Sequence, residues 1–286
     1  MKRKWFPGLF DLTRPFKNPR TLERMKYSRM TRLTLDSIVL HFRFANLPII
    51  RRFHPWVDRE RTRIYIIPVN KALERGKDVV LPYQIVEKFI DRSSDHTIIE
   101  FCGCRTAYGC KDYPHNVGCL MLGPDSKKIK GPFARSVSKE EAKEHMKKAV
   151  EANLTPIIGK ARVDNFIFGI PDNHRLFTVC FCCECCCLGQ IYKYMPPEER
   201  NIQFNRLEGL EVWVDEEKCE GCGTCVEHCF LDLMTMVDGK ARISEDCRGC
   251  GRCARACPED AIQLRLNNPD FIAQAMKHIE SKVELA

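Results

Sequence analysis

Eight of the eighteen cysteines in this 286-residue chain repeat one spacing near the C-terminus, C-x2-C-x2-C-x3-C. The first copy consists of Cys219, Cys222, Cys225 and Cys229, and the second of Cys247, Cys250, Cys253 and Cys257. In this arrangement three thiolates of one copy bind one [4Fe–4S] cluster and the fourth thiolate binds the other cluster. The expected ligand sets are therefore Cys219, Cys222, Cys225 and Cys257 for one cluster, and Cys247, Cys250, Cys253 and Cys229 for the other.

Zinc is the alternative for these thiols, but structural zinc sites combine two doublets of ligands and do not need a tripled spacing. Residues 211–266 resemble the bacterial ferredoxins that hold two clusters, on the strength of both motifs and of Pro258 after the second. That resemblance implies single-electron transfer. Phe230 departs from it, because a proline is expected after the first motif as well. Three cations accompany the second motif: Arg248, Arg252 and Arg255. They favour a higher reduction potential for its cluster, and surface charge screened by water is the alternative interpretation.

The other ten cysteines fall into two groups. The first group is Cys102, Cys104, Cys110 and Cys119, and the second is Cys180, Cys182, Cys183, Cys185, Cys186 and Cys187. Six thiols within eight residues cannot all reach one tetrahedral ion or the four corners of one cubane. At four thiolates per cluster, the ten thiols predict one additional iron–sulfur cluster, with two as the upper limit. Zinc binding, thiol or disulfide chemistry, and buried structural cysteines are the alternatives.

The chain as a whole is similar to 4Fe–4S binding-domain proteins of anaerobes over about residues 64–266. The similarity rests on Phe101-Cys-Gly-Cys-Arg, on Gly109-Cys-Lys-Asp-Tyr-Pro-His and on the six-cysteine segment directly before the ferredoxin motifs. It implies an iron–sulfur architecture in an oxygen-poor cell, and it supplies no substrate.

The elements that position these thiols predict an α+β fold in four parts: a basic amphipathic segment (1–63), a Cys-rich α+β domain (64–210), the ferredoxin domain (211–266) and a C-terminal helix (267–286). Helices are expected from Pro19, from Pro82 and after a capping box at Ser138. Strands are expected at 64–68, 97–101, 165–170 and 176–181, and a hairpin turn is expected at Asp238-Gly239. On strands, Cys102 and Cys104 would share one face, as would Cys180 and Cys182, so that two strand ends converge on one inorganic core.

The N-terminal segment carries most of the positive charge. Residues 1–63 hold sixteen Lys and Arg against five Asp and Glu, whereas the whole chain has a net charge of +8. An apolar helical stripe is expected there, formed by Leu22, Met25, Met30 and Leu33. This segment could lie on an anionic membrane surface, dock on an acidic redox partner, bind nucleic acid, or pack against the middle domain. Nucleic acid is the weakest of these hypotheses because no recognition motif accompanies the charge.

The expected location is cytoplasmic, with peripheral contact to a membrane surface as a variant. The basic start lacks the apolar run of a signal peptide, and the best apolar stretch, 37–50, is interrupted by His41 and Arg43. The expected function is an electron-transfer protein or subunit with redox proteins as donor and acceptor. The alternatives are a redox enzyme subunit using a catalytic cluster or reactive thiols at Cys102–Cys119 or Cys180–Cys187, and an iron–sulfur regulator. Motifs for nicotinamide, flavin or nucleotide are lacking.

Overall fold

The computed structural model describes residues 19–44, 47, 62–68, 73–75, 78–80, 82–131, 133–171, 174–268, 270–281 and 283–286. The helices are α1 Pro19–Phe44, α2 Pro82–Arg92, α3 Gly103–Tyr108, α4 Lys139–Glu151, α5 Arg162–Phe168, α6 Pro197–Gln203, α7 Thr224–Glu227, α8 Arg252–Ala256 and α9 Phe271–Glu280. The strands are β1 Arg63–Ile66, β2 Leu73–Arg75, β3 Asp78–Val80, β4 His96–Ile99, β5 Leu120–Leu122, β6 Ala134–Ser136, β7 Thr155–Lys160, β8 Phe177–Cys182, β9 Phe204–Asn205, β10 Leu210–Val214, β11 Met234–Val237, β12 Lys240–Ile243 and β13 Ile262–Leu266.

The strands form three sheets, and with the helices they make the α+β fold that the sequence predicts. The largest sheet has the order β6-β4-β5-β8-β7-β1-β9, in which the pair β1–β9 is parallel and the others are antiparallel. A second sheet, β10-β13-β2-β3, joins strands from both ends of the ferredoxin motifs to a hairpin from the middle region. Strands β11 and β12 form a separate hairpin.

Helices α2 and α4 pack on the large sheet and close its core. In α2, Ile85, Val86, Phe89 and Ile90 are fully buried, as their spacing predicts. Phe89 stacks on Phe177 of β8 with ring centroids 5.0 Å apart. At the start of α4, the Ser138 side chain accepts from the Glu141 N–H while Glu141 accepts from the Ser138 N–H, so the predicted capping box is confirmed.

Helix α1 begins at Pro19, as predicted, and continues unbroken to Phe44. Its buried face is formed by Leu35, Ile38, Val39 and Phe42. The predicted stripe was wrong at Leu33, which is 71% exposed. The side chains of its other three members, Leu22, Met25 and Met30, lie outside the described residues. The buried face packs against α3 and against the 3-10 helix Leu188–Tyr194.

The predicted strand at 165–170 was wrong, because this segment lies in and after helix α5. Its run of aromatic and β-branched residues favours a strand by propensity. Gly169 takes a left-handed conformation, with φ of 63°, and its N–H bonds back to the carbonyls of Asn165 and Phe166, which ends the helix. Val163 and Ile167, four residues apart, face the core, and Phe166 points outward. Tertiary burial of a helical stripe has overridden the local propensity.

The hairpin predicted at Asp238-Gly239 is confirmed. Strand β11 pairs with β12, and the two turn residues have φ of 49° and 74°. Two positive φ angles in a two-residue loop are typical of the type I′ turn that suits the twist of a hairpin.

The helices of the described part of the chain include none with the length and apolar character needed to cross a bilayer.

Candidate iron–sulfur and thiol sites

The structure gathers the first expected ligand set around one pocket. Cys219, Cys222 and Cys225 line it together with Cys257 from the other motif. Gly221 allows the loop to turn here, because its φ is 74° and a Cβ atom would lie 2.1 Å from the carbonyl oxygen of Gly239. Cys222 is exposed, so this pocket lies next to solvent.

The second expected set is also brought together, on the inner side of the module. Burial raises the pKa of Cys253 to about 12, with the thiols of Cys247 and Cys229 adding to the effect. Burial likewise raises the pKa of Cys250, and the same neighbours contribute. Three desolvated thiols, Cys247, Cys250 and Cys253, with Cys229 as a neighbour, are suited to a ligand that takes up their negative charge as a metal centre does.

Cys102 and Cys104 lie at the start of helix α3, so the prediction that they lie on a strand was wrong. Cys102 is the N-cap of α3, where its sulfur accepts from the Arg105 N–H, and Cys104 lies in the first turn. A hydrogen bond from Cys104 and the charge of Arg105 lower the pKa of Cys102 to about 7 in spite of its burial. Cys180 and Cys182 do lie on one strand, β8, as predicted.

A cavity of about 150 Å³ lies between the large sheet, α1, α3 and α5, and most of the middle-region cysteines line it. We call this space the thiol cavity. Besides Cys183, six cysteines line it, and we call them the cavity thiols: Cys102, Cys104, Cys119, Cys180, Cys182 and Cys187. The sulfurs of Cys182 and Cys187 are 2.6 Å apart, and those of Cys119 and Cys180 are 3.5 Å apart. A cavity of this size matches one that accepts a benzene-sized group, roughly 150 Å³.

The remaining four thiols form a second, compact group that we call the four-thiol group: Cys110, Cys183, Cys185 and Cys186. All four sulfurs lie within 4.8 Å of one another. Cys183 also lines the thiol cavity, so the two sets of thiols are neighbours. The sequence divides the ten cysteines by position, four and six, whereas the fold divides them differently by bringing Cys110 to the later segment.

Arg105 supplies a cation to the thiol cavity. Its side chain is fully buried and donates to the carbonyl oxygens of Pro114 (2.8 Å), Phe181 (2.7 Å) and Val117. Burial alone would lower its pKa, but the neighbouring Cys102 and Cys183 thiols raise it above the ordinary value. Asp164 of α5 also lines the cavity, and burial raises its pKa to about 6. The cavity thus holds one fixed positive charge and one carboxyl group that is easily neutralised.

The ferredoxin motifs dock directly onto these thiols through Arg252. This side chain is fully buried, forms an ion pair with Glu184, and donates to Thr155 Oγ1 (2.7 Å) and to the carbonyl of Cys182. Burial lowers its pKa to about 10, which leaves the guanidinium charged at neutral pH. Its guanidinium carbon also lies 5.0 Å from the ring centroid of Phe230.

The contact between the two regions is apolar where the thiols approach each other. Phe230, Cys182 and Cys187 belong to one buried cluster, and Cys229 and Cys250 pack against it. Sequence reasoning missed the roles of Arg252 and Phe230. The missing proline at Phe230 was the one available signal, since a large apolar residue at that position points to a packed surface.

Comparison with known proteins gives one family match. Residues 211–258 match the family model described as a 4Fe-4S dicluster domain. A search of curated proteins finds no significant match. The matched residues contain all eight motif cysteines, so the C-terminal part of the chain is a ferredoxin-type module that follows a Cys-rich middle region.

Proposed function

We propose that this chain is an iron–sulfur electron-transfer protein with two [4Fe–4S] clusters in the ferredoxin module and a third cluster in the thiol cavity. The observation that carries the proposal is the shared apolar cluster in which Cys229 and Cys250 of the module meet Cys182 and Cys187 of the cavity. When bound, each cluster takes up and releases single electrons.

The thiol cavity fits an iron–sulfur core in four respects. Besides Cys183, it offers six sulfurs, where a cubane needs four, and its volume of about 150 Å³ suits a compact inorganic group. Arg105 balances the negative charge of thiolates without exposing them to water. Thr31 and Leu35 of α1 also line the cavity, so the N-terminal helix shields part of it from solvent.

The burial of the cysteines decreases from the thiol cavity to the Cys222 pocket, and this gradient supports a path for electrons between the two. Cys182 and Cys187 of the thiol cavity are buried and Cys250 beside them is half-buried, whereas Cys222 is exposed. A redox partner would therefore meet the chain at the Cys222 pocket, and the thiol cavity would be the inner end of the path. Arg252 fixes the ferredoxin module to the middle region through its contacts with Glu184 and Thr155. The protein's part in this chemistry is to position the cofactors and to keep their surroundings dry.

The test is the iron content of the full chain reconstituted under anaerobic conditions. We expect about twelve irons per chain, eight from the module and four from the cavity. A triple variant, Cys102→Ser, Cys119→Ser and Cys182→Ser, leaves three of the six cavity thiols. Because Cys183 is held in the four-thiol group, this variant should hold about eight irons at four per cluster. The single variant Cys104→Ser leaves five thiols and serves as the control, with about twelve irons retained. A wild-type value near eight, or a triple variant that keeps its iron, would refute the third cluster.

A redox enzyme is the second candidate, and the surplus of thiols over four together with Asp164 favours it. The EPR spectrum of the reduced protein distinguishes the two functions. A cavity cluster with an open coordination site should change its spectrum on addition of cyanide or carbon monoxide, and a purely electron-transferring cluster with four thiolates should not.

A further inference from the structure

The four-thiol group has a spacing that differs from those of the other cysteines. The sulfurs of Cys110 and Cys185 are 3.3 Å apart and those of Cys185 and Cys186 are 3.5 Å apart, and all four lie within 4.8 Å of one another. Within the described part of the chain, which contains all eighteen cysteines, no other set of three or more His, Cys, Asp or Glu ligands satisfies that limit.

This spacing is that of ligands to a single ion. A tetrahedral zinc site with Zn–S bonds of about 2.3 Å places its sulfurs about 3.8 Å apart. The thiolates of a cubane each bind a different iron at a different corner, so they stand farther apart. The ferredoxin sets provide the comparison within the same molecule, because their motif is typical of cubanes and neither of them meets the 4.8 Å limit.

The surroundings leave only sulfur to act as ligand. His115 lies in the same loop as Cys110, but its Nε2 donates to the Cys110 carbonyl at 2.6 Å. Glu184 stands between two of the cysteines and is engaged by Arg252 and by the hydroxyl of Tyr113 at 2.6 Å. Three of the four cysteines are buried, and Cys185 is half-buried. A closed tetrahedral site of four thiolates is the donor set of structural zinc.

We propose that Cys110, Cys183, Cys185 and Cys186 bind one zinc ion, in a structural site separate from the iron–sulfur clusters. The ion would join the turn after α3 to the turn after β8, two segments 75 residues apart. It would also fix both neighbours of Glu184, and with them the carboxylate that receives Arg252 from the ferredoxin module.

The test is metal analysis of the full chain purified anaerobically with iron, sulfide and zinc supplied. We expect about one tightly bound zinc per chain. Cys185→Ser and Cys110→Ser should lose the zinc and keep their iron, whereas the triple cavity variant should lose iron and keep the zinc. Cobalt replacing the zinc in the wild-type chain should give the visible absorption of a tetrahedral thiolate site, and this measurement needs no substitution.

The outcomes separate this site from the proposed third cluster. Loss of about four irons from Cys185→Ser would show a cubane at the four-thiol group and overturn the zinc site. A wild-type chain without zinc, or without the cobalt spectrum, would overturn it as well. About eight irons together with one zinc would support the zinc site and refute the cavity cluster.

Discussion

Arg252 of the ferredoxin module and Glu184 of the six-cysteine segment form a buried ion pair across the contact between the two regions. The Arg252 side chain is 1% exposed and that of Glu184 is 22% exposed. A buried charge that loses its partner is costly, whereas an apolar pair of similar volume is often tolerated. The pair is therefore best understood as a device that specifies how the module docks.

We expect Arg252→Met and Glu184→Gln each to destabilise the protein by about 3 kcal/mol, because each removes the oppositely charged partner of a largely buried side chain. The double variant should lose less stability than the sum of the losses of the two single variants. Anaerobic thermal unfolding measures the effect. Arg255→Met is the control, since Arg255 is half-buried on the same helix and donates to the Asn153 carbonyl at 3.0 Å. Fully additive losses would show that the two side chains act independently.

Phe230 should matter for docking rather than for cluster binding. It is 4% exposed and lies beneath the guanidinium of Arg252. Phe230→Ala is expected to cost about 3 kcal/mol through loss of packing, with the iron content unchanged. Phe166→Ala provides the same substitution at a site that is 63% exposed, where the cost should stay below about 0.5 kcal/mol. Equal unfolding temperatures for the two variants would contradict the docking role.

Substitutions at Gly221 and Gly223, in one cysteine loop, distinguish the effect of a steric contact from that of an unfavourable backbone conformation. Both have a left-handed φ, 74° and 76°, but only at Gly221 would a Cβ atom meet the carbonyl of Gly239. Gly223→Ala should cost about 1–2 kcal/mol and keep its iron. Gly221→Ala should displace the loop and lose about four irons per chain. Identical iron contents in the two variants would refute this distinction.

The burial of His145 is expected to make the protein less stable in acid. It is buried on α4, and its Nε2 donates to the Gly118 carbonyl at 2.9 Å. Burial lowers its pKa, so the unfolded chain binds a proton more readily than the folded one. Stability should therefore fall as the pH drops below about 6.5, the ordinary pKa of histidine.

The measurement is the difference in unfolding temperature between about pH 7.5 and pH 5.5, on either side of that value. His145→Gln should reduce this difference relative to wild type. His41→Gln, at an exposed position, should leave it unchanged. A difference that is the same in all three proteins would place the acid sensitivity elsewhere, for example at the clusters.

Local signals in the sequence predicted the structure correctly where the residues that interact are also close together in the chain. The turn at Asp238-Gly239, the capping box at Ser138 and the buried face of α2 each depend on residues within a few positions of one another. The prediction failed at α5, where burial of Val163 and Ile167 outweighs strand propensity.

The candidate site could be predicted only in part, since much of it depends on distant contacts. Cys110 joins Cys185 across 75 residues, and spacing carries no information about that pairing. The hairpin β2–β3 adds to the ferredoxin sheet through the parallel pair of Arg265 with Glu74, which likewise spans most of the chain. Which thiols share a site is thus a property of the tertiary fold.

Helix α1 should protect the thiol cavity from solvent and oxygen. Leu35 is 3% exposed and lines the cavity, whereas Leu33, two residues earlier in the same helix, is 71% exposed. Leu35→Ala should cost about 2–5 kcal/mol and open a path to the thiols, and Leu33→Ala should be near neutral.

The measurement is the rate at which the reconstituted protein loses its visible iron–sulfur absorption in air. In Leu35→Ala a fast phase should appear with the amplitude of one cluster in three, and in Leu33→Ala the rate should match wild type. The triple cavity variant should lack that phase, because it holds no cavity cluster to lose. Uniform acceleration of all absorption in Leu35→Ala would instead indicate general loosening of the fold, and a rate equal to wild type would show that α1 does not shield the cavity.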